Sequence, residues 1–282
     1  MDAHQKKAAV VGWPISHSLS PSIHNLWARR TGLNAQYLPI AIPPTYEDFA
    51  AKLDELQAAG FAGINITLPH KENALRYAAK ASNGAEKAGA ANMITFGCGG
   101  PYADNSDVEG FAQAVKGIVS KEKINSALVI GAGGAARGVV LAFQSLGVKD
   151  ITLTNRTKDK ALAIANDFKT ATIDWGKEQN IIDTVDMIVN TTSLGMTGQP
   201  PLDLDLSRLQ HHAIVADIVY SPLETPLLKS AKQKGNATVD GLAMLMHQAV
   251  PGFRQWFGGE PIVDQELRNH LVTILNNRKN EC

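Results

Sequence analysis

Residues 126–138 read S-A-L-V-I-G-A-G-G-A-A-R-G, and they restrict the possible folds more than any other stretch. The apolar run predicts a buried strand. Val139, Val140, Phe143 and Leu146 then recur at helical spacing, so the glycines must turn a strand directly into a helix. In Gly131-x-Gly133-x-x-Ala136 the first glycine permits the tight turn, and the second lets the backbone approach a bound group. The small Ala136 lets the helix pack close to the strand. Free N–H groups at the helix start, aided by the helix dipole, can then receive an anion such as a pyrophosphate. A purely structural strand–helix turn can use the same glycines. Here a further strand follows about twenty residues on, as a dinucleotide-binding βαβ unit requires. Gly131, Ala132, Gly133, Gly134 and Ala135 are therefore the candidate phosphate loop.

That further strand ends T-L-T-N-R-T at 152–157. An NAD site usually places an acid here for the ribose 2′-OH. Asn155, Arg156 and Thr157 stand in its place. A guanidinium can clamp phosphate oxygens in bidentate fashion, so the stretch favours NADP and its 2′-phosphate over NAD. The alternative is an exposed arginine at a strand end. Asp159, close by, reads as a cap or first-turn acid of the next helix.

The phosphate loop sits within a repeating strand–helix order. Residues 8–12, 37–42, 63–67 and 92–96 read as strands, with helices over 22–32 and 46–60 between the first three. In the second helix Phe49, Leu53 and Leu56 share a face, and Gly60 stops it. G-C-G-G-P-Y-A-D-N (97–105) reads as turn, followed by a helix led by Phe111, Val115 and Ile118. A second series of strands is expected at 126–130, 150–155, 185–190, 212–218 and 237–239, and helices at about 241–257 and 264–279. Such alternation implies mostly parallel sheets covered by helices. The expected fold class is α/β with two domains. Residues 1–107 form an α/β substrate domain, 108–240 a Rossmann-type doubly wound parallel sheet, and 241–282 the C-terminal helices.

Composition excludes several other classes. Lys+Arg and Asp+Glu are equal at 27 each, so no basic excess suggests nucleic acid or an anionic membrane. Cys98 and Cys282 are the only cysteines, too few for a disulfide framework and without zinc spacing. The apolar run near the N-terminus ends within a few residues, which fits neither a signal peptide nor a membrane span. A cytoplasmic protein is expected. His17, His24, His70 and His247 read as hydrogen-bonded helix or loop residues, since no carboxylate or cysteine spacing supports a metal site.

A hydride carrier needs a substrate, and the first domain offers polar groups at its strand ends. Ser16, Ser18 and Ser20 follow the first strand. Ser20 before Pro21 reads as a helix N-cap, though serines at a helix start also receive a carboxylate. Asn65, Thr67 and Lys71 lie in N-I-T-L-P-H-K. Lys71 alone reads as a solvated loop lysine; in company it can serve as an acid. Asn92 and Asp107 flank the glycine-rich turn; taken singly they read as a strand-start residue and a helix cap.

Taken in order, the chain carries G-W-P-I-S-H-S-L-S-P-S-I-H-N, N-I-T-L-P-H-K, G-A-A-N, N-S-D-V-E-G-F, G-A-G-G-A-A-R, N-R-T and G-L-A-M-L-M-H-Q-A. Together, from Gly12 to Ala249, these resemble the shikimate dehydrogenase family. The resemblance implies NADP-dependent interconversion of 3-dehydroshikimate and shikimate, in chorismate and aromatic amino-acid biosynthesis. It also implies that the C-terminal helices return to the substrate domain. Lys71 and Asp107 match the family's catalytic pair, and Ser18 and Ser20 the hydroxyls holding the substrate carboxylate. Thr67, Asn92 and Gln248 match residues bonding the ring hydroxyls, and Tyr220 a tyrosine of the substrate pocket. Gly241 resembles the glycine near the nicotinamide, and Met244 fits the apolar cover over it. Where the family usually reads N-T-D-G, residues 105–108 read N-S-D-V, and Asn92 is followed by Met93 rather than threonine. A quinate/shikimate dehydrogenase, a divergent relative using NAD or another hydroxylated cyclohexene carboxylate, and a non-catalytic NADP(H) sensor remain as alternatives. A small-molecule substrate is expected, with no nucleic-acid or membrane partner and a monomer or homodimer as the assembly.

Overall fold

A computed structural model describes residues 5–118 and 124–280; Cys282 lies outside the described residues. The chain divides into two compact units. One runs to Ser106 and resumes over Gln248–Thr273; the other takes Asp107–His247 and resumes at Ile274. In chain order the elements begin with β1 (Lys6–Gly12), α1 (Ser20–Thr31), β2 (Ala35–Ala41), α2 (Tyr46–Ala58) and β3 (Phe61–Ile66). There follow α3 (Lys71–Tyr77), β4 (Lys80–Ala81), α4 (Asn83–Ala88), β5 (Met93–Thr95), β6 (Tyr102–Asp104) and α5 (Asp107–Lys116). The next are β7 (Ser126–Ile130), α6 (Gly134–Ser145), β8 (Asp150–Thr154), α7 (Lys158–Phe168) and β9 (Ala171–Thr172). The last are β10 (Met187–Asn190), β11 (Ile214–Asp217), α8 (Pro226–Gln233), β12 (Ala237–Val239), α9 (Gly241–Phe257) and α10 (Gln265–Asn280).

The first unit is built on a sheet of order β2-β1-β3-β5-β6-β4. β1 runs parallel to β2 and β3, whereas β5 is antiparallel to β3 and β6. The short connection over 96–101 explains the antiparallel pair, because a parallel return needs a longer crossover. It also corrects the turn expected through 105. Tyr102–Asp104 is a strand, too short for any period to announce it. One face of the sheet packs Val11, Ile64, Ile66 and Ile94 against Phe49, Leu53 and Leu56 of α2. Thr45 caps α2 by accepting the Asp48 N–H at 3.1 Å, and Gly60 follows its end at φ +78°.

Ser20 is not a side-chain cap. α1 begins at Ser20 itself, Leu19 holds the cap position without a side-chain bond, and the Ser18 hydroxyl accepts the Ser20 N–H at 3.3 Å. Ile118 lies beyond the end of α5 and is exposed.

In the second unit the order is β12-β11-β10-β7-β8-β9, with every pairing parallel. Counting from β7, this is the 3-2-1-4-5-6 order of a doubly wound dinucleotide fold. The strand order reverses between β7 and β10, where ligands of such sheets bind beyond the carboxyl ends. Phe111, Val139, Val140, Phe143 and Leu153 fill one side of this sheet. Leu128, Ile188, Leu206 and Leu228 fill the other. No described helix is long and apolar enough to cross a membrane.

His24 departs from the hydrogen-bonded histidine expected. It is fully buried on α1, stacked on Tyr37 at 4.0 Å, with Trp27 edge-on at 5.8 Å and Phe253 at 5.9 Å. Neither ring nitrogen has a hydrogen-bond partner among the described residues. Burial without a counter-charge lowers its pKa to about 3. In the unfolded chain it titrates at about 6.5. The folded pKa is the lower one, so His24 leaves stability untouched above the unfolded value and subtracts from it as pH falls toward about 3. Its contribution to acid destabilisation is about 1.4 kcal/mol per pH unit across that window. Urea unfolding at a series of pH values should show this slope in the native chain, and His24→Phe should remove one proton from it.

Candidate active site

In the first unit the candidate residues follow the carboxyl ends of neighbouring parallel strands. The chain leaving β1 and the chain leaving β3 are tied together. The Thr67 N–H donates to the Val11 carbonyl at 2.9 Å and the Trp13 N–H to the Leu68 carbonyl at 3.0 Å. They lie so close that a Cβ on Gly12 would stand 2.4 Å from Thr67 Cγ2. Ser18 and Thr67 are half-buried and Ser20 is buried.

Lys71 is the first residue of α3 and is half-buried. The residue before it fixes its position. His70 is buried, faces Phe49 at 4.9 Å and has Nε2 at 2.9 Å from the Ile42 carbonyl. A carbonyl can only accept, so Nε2 carries the proton, and Nδ1 accepts from Asn73 Nδ2 at 3.3 Å. The His70 N–H closes the turn onto the Thr67 carbonyl at 3.0 Å, and the Lys71 carbonyl accepts the Ala91 N–H at 2.9 Å. Both the turn and the helix start are therefore pinned.

Asn92 and Gln248, far apart in sequence, are brought together. Asn92 Nδ2 donates to Gln248 Oε1 at 3.2 Å. Asn92 Oδ1 accepts the Ser106 N–H at 2.8 Å and the Ser106 hydroxyl at 3.2 Å. The Asn92 carbonyl accepts from Ile66 N at 2.8 Å and Asn65 Nδ2 at 3.2 Å, and Asn65 Oδ1 accepts the Tyr37 hydroxyl at 2.6 Å. The Tyr37 hydroxyl is held well above its ordinary pKa by burial, so it stays a donor. Tyr37 has no motif in the sequence to mark it, and Ser106 stands out there only as the departure from N-T-D-G. A tyrosine on a strand and a serine before an aspartate carry no signal until their partners are known.

In the second unit Gly131 joins β7 to α6 at φ +115°, and its N–H donates to the Thr154 carbonyl at 2.8 Å. A Cβ there would lie 2.4 Å from Thr191 Oγ1, at the point where the strand order reverses. Gly133 is different: no atom lies within 4 Å of where its Cβ would stand. It caps α6 in extended conformation without a side-chain bond. The first amides of a helix have no partner within it. An open backbone edge beside such amides fits a pyrophosphate. Ala136 is buried, closing the helix on the sheet. Beyond β8, Asn155 Nδ2 donates to the Thr157 carbonyl at 2.8 Å, which shapes the turn and leaves Arg156 and Thr157 exposed.

Asp107 is buried at the start of α5, where a Cβ on Gly138 of α6 would meet its Cβ at 3.4 Å. Tyr220 is half-buried after β11, and burial raises its hydroxyl pKa. Its loop hangs on Asp217, a carboxyl also missed in the sequence. Asp217 accepts from Asn190 Nδ2 at 3.0 Å, the Val219 N–H at 3.0 Å and the Thr225 hydroxyl at 2.7 Å. Burial still pushes it up to about 6. Gly241 opens α9 against this loop, and a Cβ there would lie 2.2 Å from the Ile218 carbonyl oxygen. Met244 is buried in the core of this unit. Among the described residues, no group of three His, Cys, Asp or Glu could hold a metal ion.

The two loop glycines should separate packing from ligand contact. Gly131→Ala adds strain at positive φ and a clash with the Thr191 side chain, and should cost about 1–3 kcal/mol in chemical denaturation. Gly133→Ala meets no protein atom and should stay within about 0.5 kcal/mol of the parent.

Residues 10–94 match the family described as "Shikimate dehydrogenase substrate binding domain", and residues 113–197 match "Shikimate / quinate 5-dehydrogenase". The chain is 45% identical over 275 residues to the shikimate dehydrogenase (NADP(+)) of Acidiphilium cryptum strain JF-5, covering 98% of this chain and 99% of the relative. It is 47% identical to the enzyme of that name from Methylocella silvestris, over 95% of this chain and 96% of the relative. Among solved structures, shikimate 5-dehydrogenase from Thermus thermophilus in complex with NADP(H) and shikimate is similar, with TM-score 0.86 and 33% identity. The similarity covers 96% of this chain and 99% of that one. Quinate dehydrogenase from Corynebacterium glutamicum in complex with NAD is also similar, with TM-score 0.88 and 30% identity over 95% and 99% of the two chains. The sheet order, the glycine loop and this near-complete coverage agree: the chain belongs to the shikimate dehydrogenase family.

Proposed function

We propose that the chain catalyses the reversible NADPH-dependent reduction of 3-dehydroshikimate to shikimate, in the cytoplasm, for chorismate and aromatic amino-acid biosynthesis. The observation that carries this is the open backbone edge at Gly133 followed by Asn155-Arg156-Thr157, in a chain whose relatives bear that activity in their names. Residues 1–107 are assigned to the substrate, 108–240 to NADP, and the helices of 241–282, of which Gln248–Thr273 belongs to the first unit, to the substrate side. Gly131 to Ala135 would hold the pyrophosphate, and Arg156 with Asn155 and Thr157 would hold the 2′-phosphate. Gly241 and Met244 would lie on the nicotinamide side.

Bound NADPH supplies hydride chemistry. The chain supplies the proton and the orientation. Ser18 and Ser20 hold the substrate carboxylate; Thr67, Asn92, Gln248 and Tyr220 hold ring oxygens. The Lys71 ammonium stabilises the developing alkoxide and gives its Nζ proton to that oxygen; in the reverse direction the same nitrogen takes it back. Asp107 orients the ammonium. The rigid His70 turn supports this role, because an acid acts only within hydrogen-bond reach of the oxygen it serves.

A second reading, with quinate as substrate or NAD as cofactor, is favoured by the likeness to quinate dehydrogenase. Steady-state rates with shikimate and quinate, each with NADP and NAD, decide between them. Turnover with shikimate and NADP should dominate, and no turnover in any of the four would instead mean a sensor. Lys71→Ala should lower kcat by about 10²–10⁴-fold with a smaller change in KM; near-normal kcat removes Lys71 from the mechanism. Arg156→Ala should weaken NADPH far more than NADH, and equal losses would reject the 2′-phosphate clamp.

A further inference from the structure

The polarity of the Asn92–Gln248 pair is dictated from one side. An amide carries an acceptor and a donor end that differ little in shape, so which end faces a ligand must be fixed by a neighbour of known polarity. A backbone N–H can only donate. The Ser106 N–H lies 2.8 Å from Asn92 Oδ1, which must therefore be the oxygen. Asn92 Nδ2 then faces Gln248, whose contacting atom at 3.2 Å must in turn be its oxygen. Gln248 is left with Nε2, a donor, at its other end. The Ser106 hydroxyl lies between the two amide oxygens, 3.2 Å from Asn92 Oδ1 and 3.5 Å from Gln248 Oε1. Both atoms accept and the hydroxyl has one proton, so it donates to one oxygen at a time, the nearer being Asn92 Oδ1. Ser106 is itself buried. The Asn92 main chain cannot follow a side-chain rotation, because Ile66, Asn65 and Asp104 hold its carbonyl and N–H.

We propose that Ser106 is a positioning residue that locks the Asn92–Gln248 amide pair with Gln248 as hydrogen-bond donor toward the ring oxygens of the substrate. This rests on the functional assignment above. It gives the second residue of N-S-D-V a role in substrate affinity rather than in the transfer of hydride or proton.

The test is steady-state kinetics and shikimate binding for Ser106→Ala and Ser106→Thr, with melting temperatures alongside. Ser106→Ala keeps the backbone donor and removes the hydroxyl. Its KM and Kd for shikimate should rise about fivefold, the worth of one ordinary hydrogen bond, with kcat within about twofold. Ser106→Thr, which keeps the hydroxyl, should restore both constants. Unchanged KM in Ser106→Ala would overturn the inference, as would a fall in kcat and melting temperature at constant KM, the pattern of a merely structural residue. A parent chain that neither binds nor turns over shikimate would remove the functional assignment and this inference with it. An active parent with a silent Ser106→Ala would remove this inference alone.

Discussion

The first unit depends on the contact between Trp256 and Gly63. A Cβ on Gly63 would stand 2.0 Å from the indole nitrogen, so the ring lies directly on the backbone of β3. The indole N–H donates to the Thr95 hydroxyl on β5 at 3.0 Å, which fixes the register of α9 against the sheet. Gln248 precedes Trp256 by eight residues on the same helix, about two turns and 12 Å away. That offset brings it to Asn92, three residues before Thr95. Trp27 reinforces the arrangement by donating to the Ile262 carbonyl at 2.8 Å, and Arg30 by pairing with Asp264 at 3.2 Å and Glu266 at 2.8 Å. A helix from the end of the sequence is thus brought against Asn92, from the first hundred residues.

The second unit relies on close backbone approach instead. Gly131 meets Thr191 and Gly241 meets the chain after β11, both where a methyl group would collide. Gly131 shapes the turn from β7 into α6. Gly241 has a packing role that its resemblance to a nicotinamide-side glycine did not reveal. Asp217 ties the chain leaving β10 to the chain leaving β11 through three hydrogen bonds. A buried carboxyl so placed is costly to desolvate, which its raised pKa records. The cost is offset by holding the loop that carries Tyr220.

Much of this was legible beforehand, and for a physical reason. The glycine loop, Arg156 and the turn before Lys71 are local features: each depends on residues within a few positions, so spacing alone exposes them. The parallel second sheet was legible because apolar runs alternating with helices have few other ways to bury themselves. β6, β4 and β9 were not, since two or three residues carry no period. His24 was misjudged for a related reason. Nothing in I-H-N-L-W indicates that the ring would be enclosed by Tyr37 and Phe253, without a hydrogen-bond partner.

The sequence by itself determined the α/β class, the glycine turn between β7 and α6 and the identity of the candidate polar residues. It did so because periodicity and turn chemistry are properties of neighbours along the chain. Only the tertiary structure decided that Gln248 would meet Asn92 and that Ser106 would fix the direction of both amides. It alone showed that Ser20 would start a helix rather than cap it. Those outcomes depend on which surfaces pack together, and hydrogen-bond polarity is settled only once donor and acceptor stand within reach of each other.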